Sequence, residues 1–282
     1  MTYETRIHNT SPVLTGARRN HDVNKGRTRI LVLVAVLALP AALVAEVHCP
    51  SGGTPPPGST VTGGLDVDGT CIVDNITVNG GITVEEGGHL QLTRGTVNGG
   101  IVDLPCGELD VNATTNGSGV PTGTISTING GIDLEAGNGV CTIGGAFSDA
   151  DIWTAQINGG ISITGAYPIA FPFICNNKIK GNIGVDNVTV PLEFYIGDPD
   201  RSPDGVHGCT GNVISGAFIM SNSSTFEVES NTIGGSVLLS ASTLDLSGNA
   251  IGGSLKCSDG TVILPPEPGD PPNTVHGETH CP

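Results

Sequence analysis

Basic residues are scarce in this chain. It carries 11 Lys and Arg against 27 Asp and Glu, a formal net charge of −16 at pH 7. A nucleic-acid-binding protein needs the opposite sign, because it gains affinity by releasing counterions from phosphates. Anionic lipid surfaces are disfavoured for the same reason. We therefore expect no nucleic-acid partner and no membrane contact beyond the N-terminal segment.

Aromatic residues make up 4% of the chain and charged residues 13%, whereas Gly and Pro are abundant, at 43 and 19 residues. A helical bundle is excluded, because Gly costs about 1 kcal/mol and Pro about 3 kcal/mol at each helix-interior site. The Gly content is too low for collagen, and hydrophobic residues, at 37%, are too frequent for a disordered chain. The composition predicts an all-β protein with many turns.

The motifs of several enzyme and metal-site classes are missing. The sequence has no C-x-x-C pair, which argues against zinc knuckles and thioredoxin-type chemistry. It has no G-x-S-x-G, H-E-x-x-H or P-loop motif either, and no paired glycine opens a helical stretch. The sequence therefore indicates no catalytic residue and no cofactor.

Residues 1–45 are typical of an export signal. Six basic residues lie within 1–29, and the uncharged apolar run from Ile30 to Ala45 is interrupted only by Pro40. As a helix this run would span about 24 Å, less than the roughly 30 Å of a bilayer core. We expect cleavage, with an uncleaved N-terminal anchor as the alternative, and a secreted or cell-surface protein. Removal of the segment leaves five basic against 25 acidic residues.

A short repeat, aliphatic-x-Gly-x-apolar, dominates the rest of the chain. Its copies are separated by 17, 19, 31, 15, 14, 22, 35, 19 and 18 residues, which indicates a unit of about 17–19 residues. The step of 31 fits two units with one degenerate copy, and the step of 35 fits two units or one unit with an insertion. The copies begin at Val61, Val78, Val97, Ile128, Ile143, Ile157, Ile179, Ile214, Ile233 and Ile251.

Between copies, apolar and polar residues alternate in short runs, which indicates strands with one buried face. Three short strands per unit predict an all-β, single-stranded parallel β-helix, a β-solenoid whose rungs stack about 4.8 Å apart. Asn-Gly and Gly-Gly are expected to supply corners with positive φ. The recurrent corner asparagines, Asn79, Asn98, Asn129 and Asn158, are expected to form a side-chain ladder.

The chain divides accordingly into four parts. Residues 46–60 are predicted to be a flexible lead-in, and residues 61–257 the solenoid. Within the solenoid, residues 146–210 depart from the repeat and are expected to carry irregular, inserted loops. Residues 258–282 are Pro-rich and are expected to cap the last rung, which would otherwise expose a sheet edge.

All eight cysteines follow the predicted signal, and an even count in an exported chain indicates disulfides. Consecutive cysteines two rungs apart would be about 9.6 Å apart, too far for a bond. Bridges across 34–35 residues therefore need an inserted loop within one turn. Eight cysteines allow 105 complete pairing schemes. The favoured scheme joins Cys257 to Cys281, Cys49 to Cys71 and Cys175 to Cys209, which leaves Cys106 and Cys141 to pair with each other.

The densest polar cluster is the segment 197–208, which contains Asp198, Asp200 and Asp204. These carboxylates could form a Ca²⁺ site or an acid/base pair. The simpler interpretation is a solvated Pro/Asp turn, because Pro203 stands where a calcium loop needs Gly. The aromatics of 147–195 could likewise stack on sugar rings, or they could fill the core or an inserted loop's own small cluster.

Three parts of the chain resemble exported β-solenoid proteins, common in actinobacteria, that lack a settled activity. These parts are Cys71 to Leu92, Asn231 to Cys257, and the Pro-rich tail with N-T-V-H-G before Cys281. The resemblance spans residues 61–282. It implies a right-handed parallel β-helix at the cell surface or outside the cell, and it supplies no catalytic residues. Bactofilin-type solenoids share the short rung but lack the export signal. Pectate-lyase-like enzymes have a basic site that is missing here.

Two functions are compatible with these features. The first is a non-enzymatic surface scaffold or adhesion protein, whose partners would be cell-surface glycans or proteins. The alternative is a polysaccharide-binding or polysaccharide-processing β-helix. The alternative gains if Asp198, Asp200 and Asp204 converge with Trp153 or Tyr167 in one exposed groove. It loses its basis if the aromatics are buried and the Asp residues splay into solvent.

Overall fold

The computed structural model describes residues 47–49, 55–112, 123–135, 141, 149–165, 173–199, 208–258 and 260–281. Thirty short strands and no helix occur within these residues, and the strands form three parallel sheets, here called walls 1, 2 and 3. The predicted all-β parallel solenoid is therefore confirmed. No helix in the described ranges is long and apolar enough to cross a membrane, and the predicted signal lies outside them.

The strands are distributed over the walls in a fixed order. Wall 1 consists of β1 (Val47–His48), β3 (Leu65–Val67), β6 (Ile82–Val84), β9 (Ile101–Asp103), β12 (Ile132–Glu135), β15 (Ile161–Thr164), β18 (Ile183–Asp186), β21 (Phe218–Ser221), β24 (Val237–Ser240), β27 (Leu255–Cys257) and β30 (Thr279–His280). Wall 2 consists of β4 (Thr70–Asp74), β7 (His89–Thr93), β10 (Glu108–Asn112), β13 (Asp149–Trp153), β16 (Phe173–Cys175), β19 (Thr189–Ile196), β22 (Ser224–Glu229), β25 (Thr243–Ser247) and β28 (Val262–Leu264). Wall 3 consists of β2 (Thr60–Val61), β5 (Thr77–Val78), β8 (Thr96–Val97), β11 (Ser126–Ile128), β14 (Ala155–Ile157), β17 (Lys178–Ile179), β20 (Val213–Ile214), β23 (Thr232–Ile233), β26 (Ala250–Ile251) and β29 (Thr274–Val275).

One aliphatic column explains why the repeat motif recurs. Nine of the ten predicted motif starts stack in register along wall 3, from Val61 to Ile251, and Val275 extends the column. The nine are buried, because alternation within each strand turns them into the solenoid. Matching columns in the other two walls complete one continuous apolar core.

Two rung assignments from the sequence need correction. Ile101 pairs directly with Ile132, so the 31-residue step is a single turn with a long connection, not two turns. Ile128 pairs directly with Ile157, so no separate rung starts at Ile143, which lies outside the described residues. The 35-residue step is also a single turn, because Ile183 pairs with Phe218. Long connections are tolerated because the neighbouring rungs, not the loops, set the register.

The paired glycines are required for a different reason from the one expected. Neither Gly99 nor Gly130 has a positive φ. Instead the corners stack so closely that a Cβ on Gly99 would lie 2.7 Å from the carbonyl oxygen of Gly80, and one on Gly130 would lie 2.6 Å from the nitrogen of Gly100. Within the described residues, the left-handed conformation occurs both at non-glycine residues, such as Asn75, Arg94 and Asn176, and at glycines, such as Gly63 and Gly211.

Asparagines form two ladders along the solenoid. The predicted one is present: Asn98 donates to Asn79, Asn129 to Asn98 and Asn158 to Asn129, all on the exposed corner. A second, buried ladder was not predicted, and its members are Asn177, Asn212, Asn231, Asn249 and Asn273. Each Oδ1 of this ladder also accepts a backbone N–H from the preceding rung. The buried ladder thus satisfies backbone groups that a corner would leave unpaired.

Four disulfides brace the solenoid. They join Cys49 to Cys71, Cys106 to Cys141, Cys175 to Cys209 and Cys257 to Cys281, with Cα separations of 5.7, 5.5, 5.9 and 4.8 Å. This pairing is the one that the spacing favoured. Because such bonds persist in oxidising surroundings, they suggest an extracytoplasmic environment.

The predicted segment boundaries differ from the observed walls in three places. The lead-in 46–60 contains β1, which pairs with β3, so part of it belongs to the sheet. The irregular region 146–210 contains β13 to β19, which continue the three walls. In the tail 258–282, β28, β29 and β30 add a further rung, so the predicted cap is itself a turn of the solenoid.

Candidate functional site

The outer face of wall 2 carries the most unusual side chains of the molecule. Strand alternation stacks the outward residues of successive rungs in columns, and one column runs along the whole wall despite register irregularities between Thr189 and Phe194 and between Ser224 and Phe226. From the N-terminal side this column contains Ile72, Gln91, Asp110, Asp151, Phe173, Tyr195, Glu227, Asp245 and Leu264. The column passes from a polar stretch, through aromatic residues, to acidic ones.

A histidine and two carboxylates meet in the polar stretch. His89 Nε2 lies 3.0 Å from Asp110 Oδ2 and 3.4 Å from Glu108 Oε1. Burial raises the pKa of Glu108, the neighbouring imidazole of His89 opposes that shift, and Asp110 adds to it. The imidazole of His89 therefore lies against both carboxylates of this cluster.

The aromatic stretch is closed to solvent. Trp153 and Phe173 are stacked, with ring centroids 5.2 Å apart and an interplanar angle of 13°. Together with Tyr195 and the disulfide Cys175–Cys209 they form a buried cluster separate from the main core. Trp153 is 5% exposed, so it offers no ring face to a sugar. Tyr167, the other aromatic of the polysaccharide hypothesis, lies outside the described residues.

Of the predicted calcium ligands, only Asp198 belongs to the described part of the chain, and Asp200 and Asp204 lie outside it. Asp198 is buried, at 1% exposure, rather than being a solvated turn residue. It is hydrogen-bonded to Glu227 and is close enough to Glu229 and Asp245 to raise the pKa of each. The structure therefore brings Asp198 to a set of acidic residues that the sequence did not single out.

Two of these residues, Glu227 and Asp245, line an acidic groove that encloses about 420 Å³. Its floor is the outer face of β19, β22 and β25, and one side is formed by the start of the Pro-rich tail. The lining residues are Glu193, Ser224, Thr225, Phe226, Glu227, Thr243, Asp245, Leu264, Pro265 and Glu267.

Glu227 is the most perturbed carboxyl in the groove. Burial, together with hydrogen bonds and repulsion from Asp198 and Glu193, raises its pKa to about 9. Such a pKa favours the protonated form of this carboxyl at neutral pH. Glu193 also accepts a hydrogen bond of 3.0 Å from the Tyr195 hydroxyl, which links the groove to the aromatic cluster.

Beside Glu227 lies a second group, formed by Glu229, Asp245 and Asp270. One carboxylate oxygen from each lies within 4.8 Å of the others. Burial raises the pKa of Glu229 to about 7, with further repulsion from Asp198, Asp270 and Asp245, while a hydrogen bond from Ser247 opposes the shift. Burial and the charges of Asp270, Glu267 and Asp198 likewise raise the pKa of Asp245, and the N–H of Leu246 opposes this.

Part of this site could have been found in the sequence. Glu227 and Asp245 are 18 residues apart, one rung, and both occupy outward positions of apolar-alternating strands. Aligning the rungs would therefore have placed them side by side. The approach of Asp270 had no such signal, because it lies in the connection between β28 and β29, outside the repeat.

No protein-family model, curated protein sequence or solved structure matches this chain. The candidate site therefore depends on the geometry alone.

Proposed function

We propose that this protein is an exported, non-enzymatic β-solenoid that acts as a scaffold or adhesion module at the cell surface. The observation that carries this proposal is the continuity of the stacked columns from Val61 to Val275. Repeat proteins of this kind present long, regular faces suited to extended partners. The likeness to exported actinobacterial-type solenoids and the four disulfides support an extracytoplasmic location.

Two measurements test the proposal. The full chain, tagged at its C-terminus and expressed in a Gram-positive host, is expected in the medium or on the cell surface, where added protease reaches it. The exported protein is then applied to arrays of glycans and of surface proteins. Retention on a surface protein or glycan without turnover supports the module. Confinement to the cytoplasm overturns it.

The acidic groove favours a second candidate, a polysaccharide-processing activity. Glycoside hydrolysis needs a carboxylic acid that holds its proton at neutral pH, and the raised pKa of Glu227 fits that role. The buried aromatics count against it, because the described residues of wall 2 lack an exposed ring for a sugar.

Reducing-end release from a panel of bacterial and plant polysaccharides distinguishes the two candidates. An activity present in the wild type and lost in Glu227→Gln would favour the enzyme. The matched control is Glu108→Gln, on the same wall but beside His89. If the wild type and both variants release no sugar, while the wild type still binds a surface protein or glycan, the scaffold interpretation stands.

A further inference from the structure

We propose that Glu229, Asp245 and Asp270 form a binding site for a divalent cation of the calcium type, and that the bound ion fastens the Pro-rich tail to wall 2. This inference does not depend on the scaffold or the enzyme proposal. It concerns residues other than Asp198, Asp200 and Asp204, which the sequence suggested as calcium ligands.

The three carboxylates come from three separate parts of the chain. Glu229 ends β22, Asp245 lies on the adjacent β25, and Asp270 belongs to the connection between β28 and β29. Calcium binds oxygen at about 2.3–2.6 Å, so oxygens that share one ion lie at most about twice that distance apart. The spacing of 4.8 Å or less between the three ligand oxygens meets this condition.

Asp245 gives an independent indication of a ligand. Its side chain is 6% exposed, and its Oδ1 is closed to solvent without a hydrogen-bond partner among the described residues. A buried carboxylate oxygen is costly unless a hydrogen bond, a proton or a cation satisfies it. A cation held jointly with Glu229 and Asp270, whose carboxylate oxygens lie within 4.8 Å of one from Asp245, would offset this cost.

The charges around the triad point in the same direction. The neighbours that perturb Glu229 and Asp245 electrostatically are carboxylates, namely Asp198, Asp270 and Glu267. Carboxylates crowded in this way repel one another, and a divalent cation between them would offset the repulsion. The cluster of His89, Glu108 and Asp110 differs, because its imidazole already pairs with the carboxylates.

The ligand chemistry favours calcium over transition metals. All three side chains offer carboxylate oxygens, without the imidazole or thiolate that zinc and copper prefer. Ligands from two strands and a loop form an irregular set, which suits the flexible coordination of Ca²⁺ better than the strict octahedron of Mg²⁺.

An ion at this position would hold the tail at a point where it already touches the solenoid. Asp270 N–H donates to the Glu267 carbonyl over 3.1 Å, which closes a turn. Gly248 N–H donates to the Pro271 carbonyl over 2.7 Å. Only the second of these bonds joins the tail to the solenoid, and the ion would add another link beside it, between the tail and both β22 and β25.

The test uses the full, disulfide-bonded protein after treatment with EDTA. Calcium titration by calorimetry, and thermal unfolding with and without CaCl₂ at pH 7, measure binding and its effect on the fold. We expect saturable binding, a higher melting temperature with Ca²⁺ and a weaker response to Mg²⁺. Limited proteolysis of the tail should slow when Ca²⁺ is added.

Variants separate this site from general acidity. Asp245→Asn and, in the tail, Asp270→Asn should each lower calcium affinity by at least about tenfold and abolish the melting shift. Glu108→Gln, in the His89 cluster, should leave both unchanged. The readout is the dependence on Ca²⁺, so a variant that is itself more stable remains informative. The absence of a melting shift in the wild type, or an equal shift in Asp245→Asn, would overturn the proposal.

Discussion

At the scale of single residues, the buried asparagine ladder shows how a corner can be polar and closed to solvent. Asn231 Oδ1 accepts from both the N–H and the Nδ2 of Asn212, at 2.9 Å each. Its own Nδ2 donates to the carbonyl of Ile196 and to Asn249 Oδ1. One side chain therefore satisfies groups on both neighbouring rungs, and its loss leaves several buried groups without partners.

Substitution of a ladder residue tests this role. We expect Asn231→Ala to lower the free energy of unfolding by about 2–4 kcal/mol, because buried donors and acceptors lose their partners. The matched control, Asn129→Ala, removes a member of the exposed ladder, where water can replace the amide, and should cost within about 0.5 kcal/mol. Urea denaturation measures both. Equal losses in the two variants would contradict the role assigned to burial.

The carboxyl of Glu227 predicts a pH dependence of stability. Its pKa rises from 4.5 in the unfolded chain to about 9 in the fold, so the folded state holds its proton more tightly. Its contribution is therefore fully present below pH 4.5 and is lost as the pH rises toward 9. The groups facing Glu227 are Glu193, Asp198 and, in the next rung, Asp245, all acidic.

The corresponding experiment compares melting curves from pH 5 to pH 9 in calcium-free buffer. The wild type should lose stability across this range, and Glu227→Gln should lose less, by on the order of 1 kcal/mol or more. Glu229, whose pKa is raised to about 7, leaves a residual decline in the variant. Identical pH profiles for the two proteins would show that Glu227 is ionised in the fold.

At the scale of the structural element, each corner is limited by how closely adjacent rungs approach. The corner glycines of wall 3 leave no room for a Cβ, whereas Gly184 in β18 has nothing within 4 Å of a Cβ position. The two kinds of glycine look alike in the sequence. They differ in whether a neighbouring backbone occupies the space.

This difference gives a prediction with an internal control. Gly130→Ala should lower the free energy of unfolding by about 1–3 kcal/mol, because the added methyl group meets the backbone of Gly100. Gly184→Ala should be neutral or slightly stabilising, since it restricts the unfolded chain without a clash. Chemical denaturation measures the free energy of unfolding of both variants. An unchanged value for Gly130→Ala would mean that the backbones at this corner can move apart to admit the methyl group.

The same element shows how far the sequence predicts this fold. Alternation and the spacing of Val61, Val78 and Val97 were enough to predict the rung and its buried column, because both follow from strand geometry. The sequence did not reveal that Ile101 pairs with Ile132, since a loop of any length can connect two fixed rungs. The acidic site depends on the path of the tail around Asp270, which no repeat constrains.

At the scale of the whole molecule, the ends of the solenoid are its weak points. A terminal rung has a neighbour on one side only, and the disulfides Cys49–Cys71 and Cys257–Cys281 lie close to these ends. The last rung is also the least buried, with Val262 and Leu264 both exposed. The covalent bonds therefore restrain rungs that packing restrains least.

Removal of the last bond should loosen the tail without unfolding the centre. The Cys257→Ser/Cys281→Ser variant loses a bridge spanning 24 residues, which is worth about 3 kcal/mol. We expect faster amide hydrogen exchange in β29 and β30 and little change in β14 or β17. Cys106→Ser/Cys141→Ser is the control, because its bridge lies far from the last rung. Faster exchange of the last rung in that control would show that the rungs are coupled over long distances.

Each strand pairs only with strands one turn away, and this pattern determines how the chain can fold. In wall 3, for example, Val61 contacts Val78 and Val78 contacts Val97, so no contact in the column joins distant ends of the chain. Folding can then start at any pair of adjacent turns and spread outward, with each newly added turn using the preceding one as its template. The time required should grow in proportion to the number of turns, and a turn duplicated in the middle should lengthen the protein without requiring a new folding route.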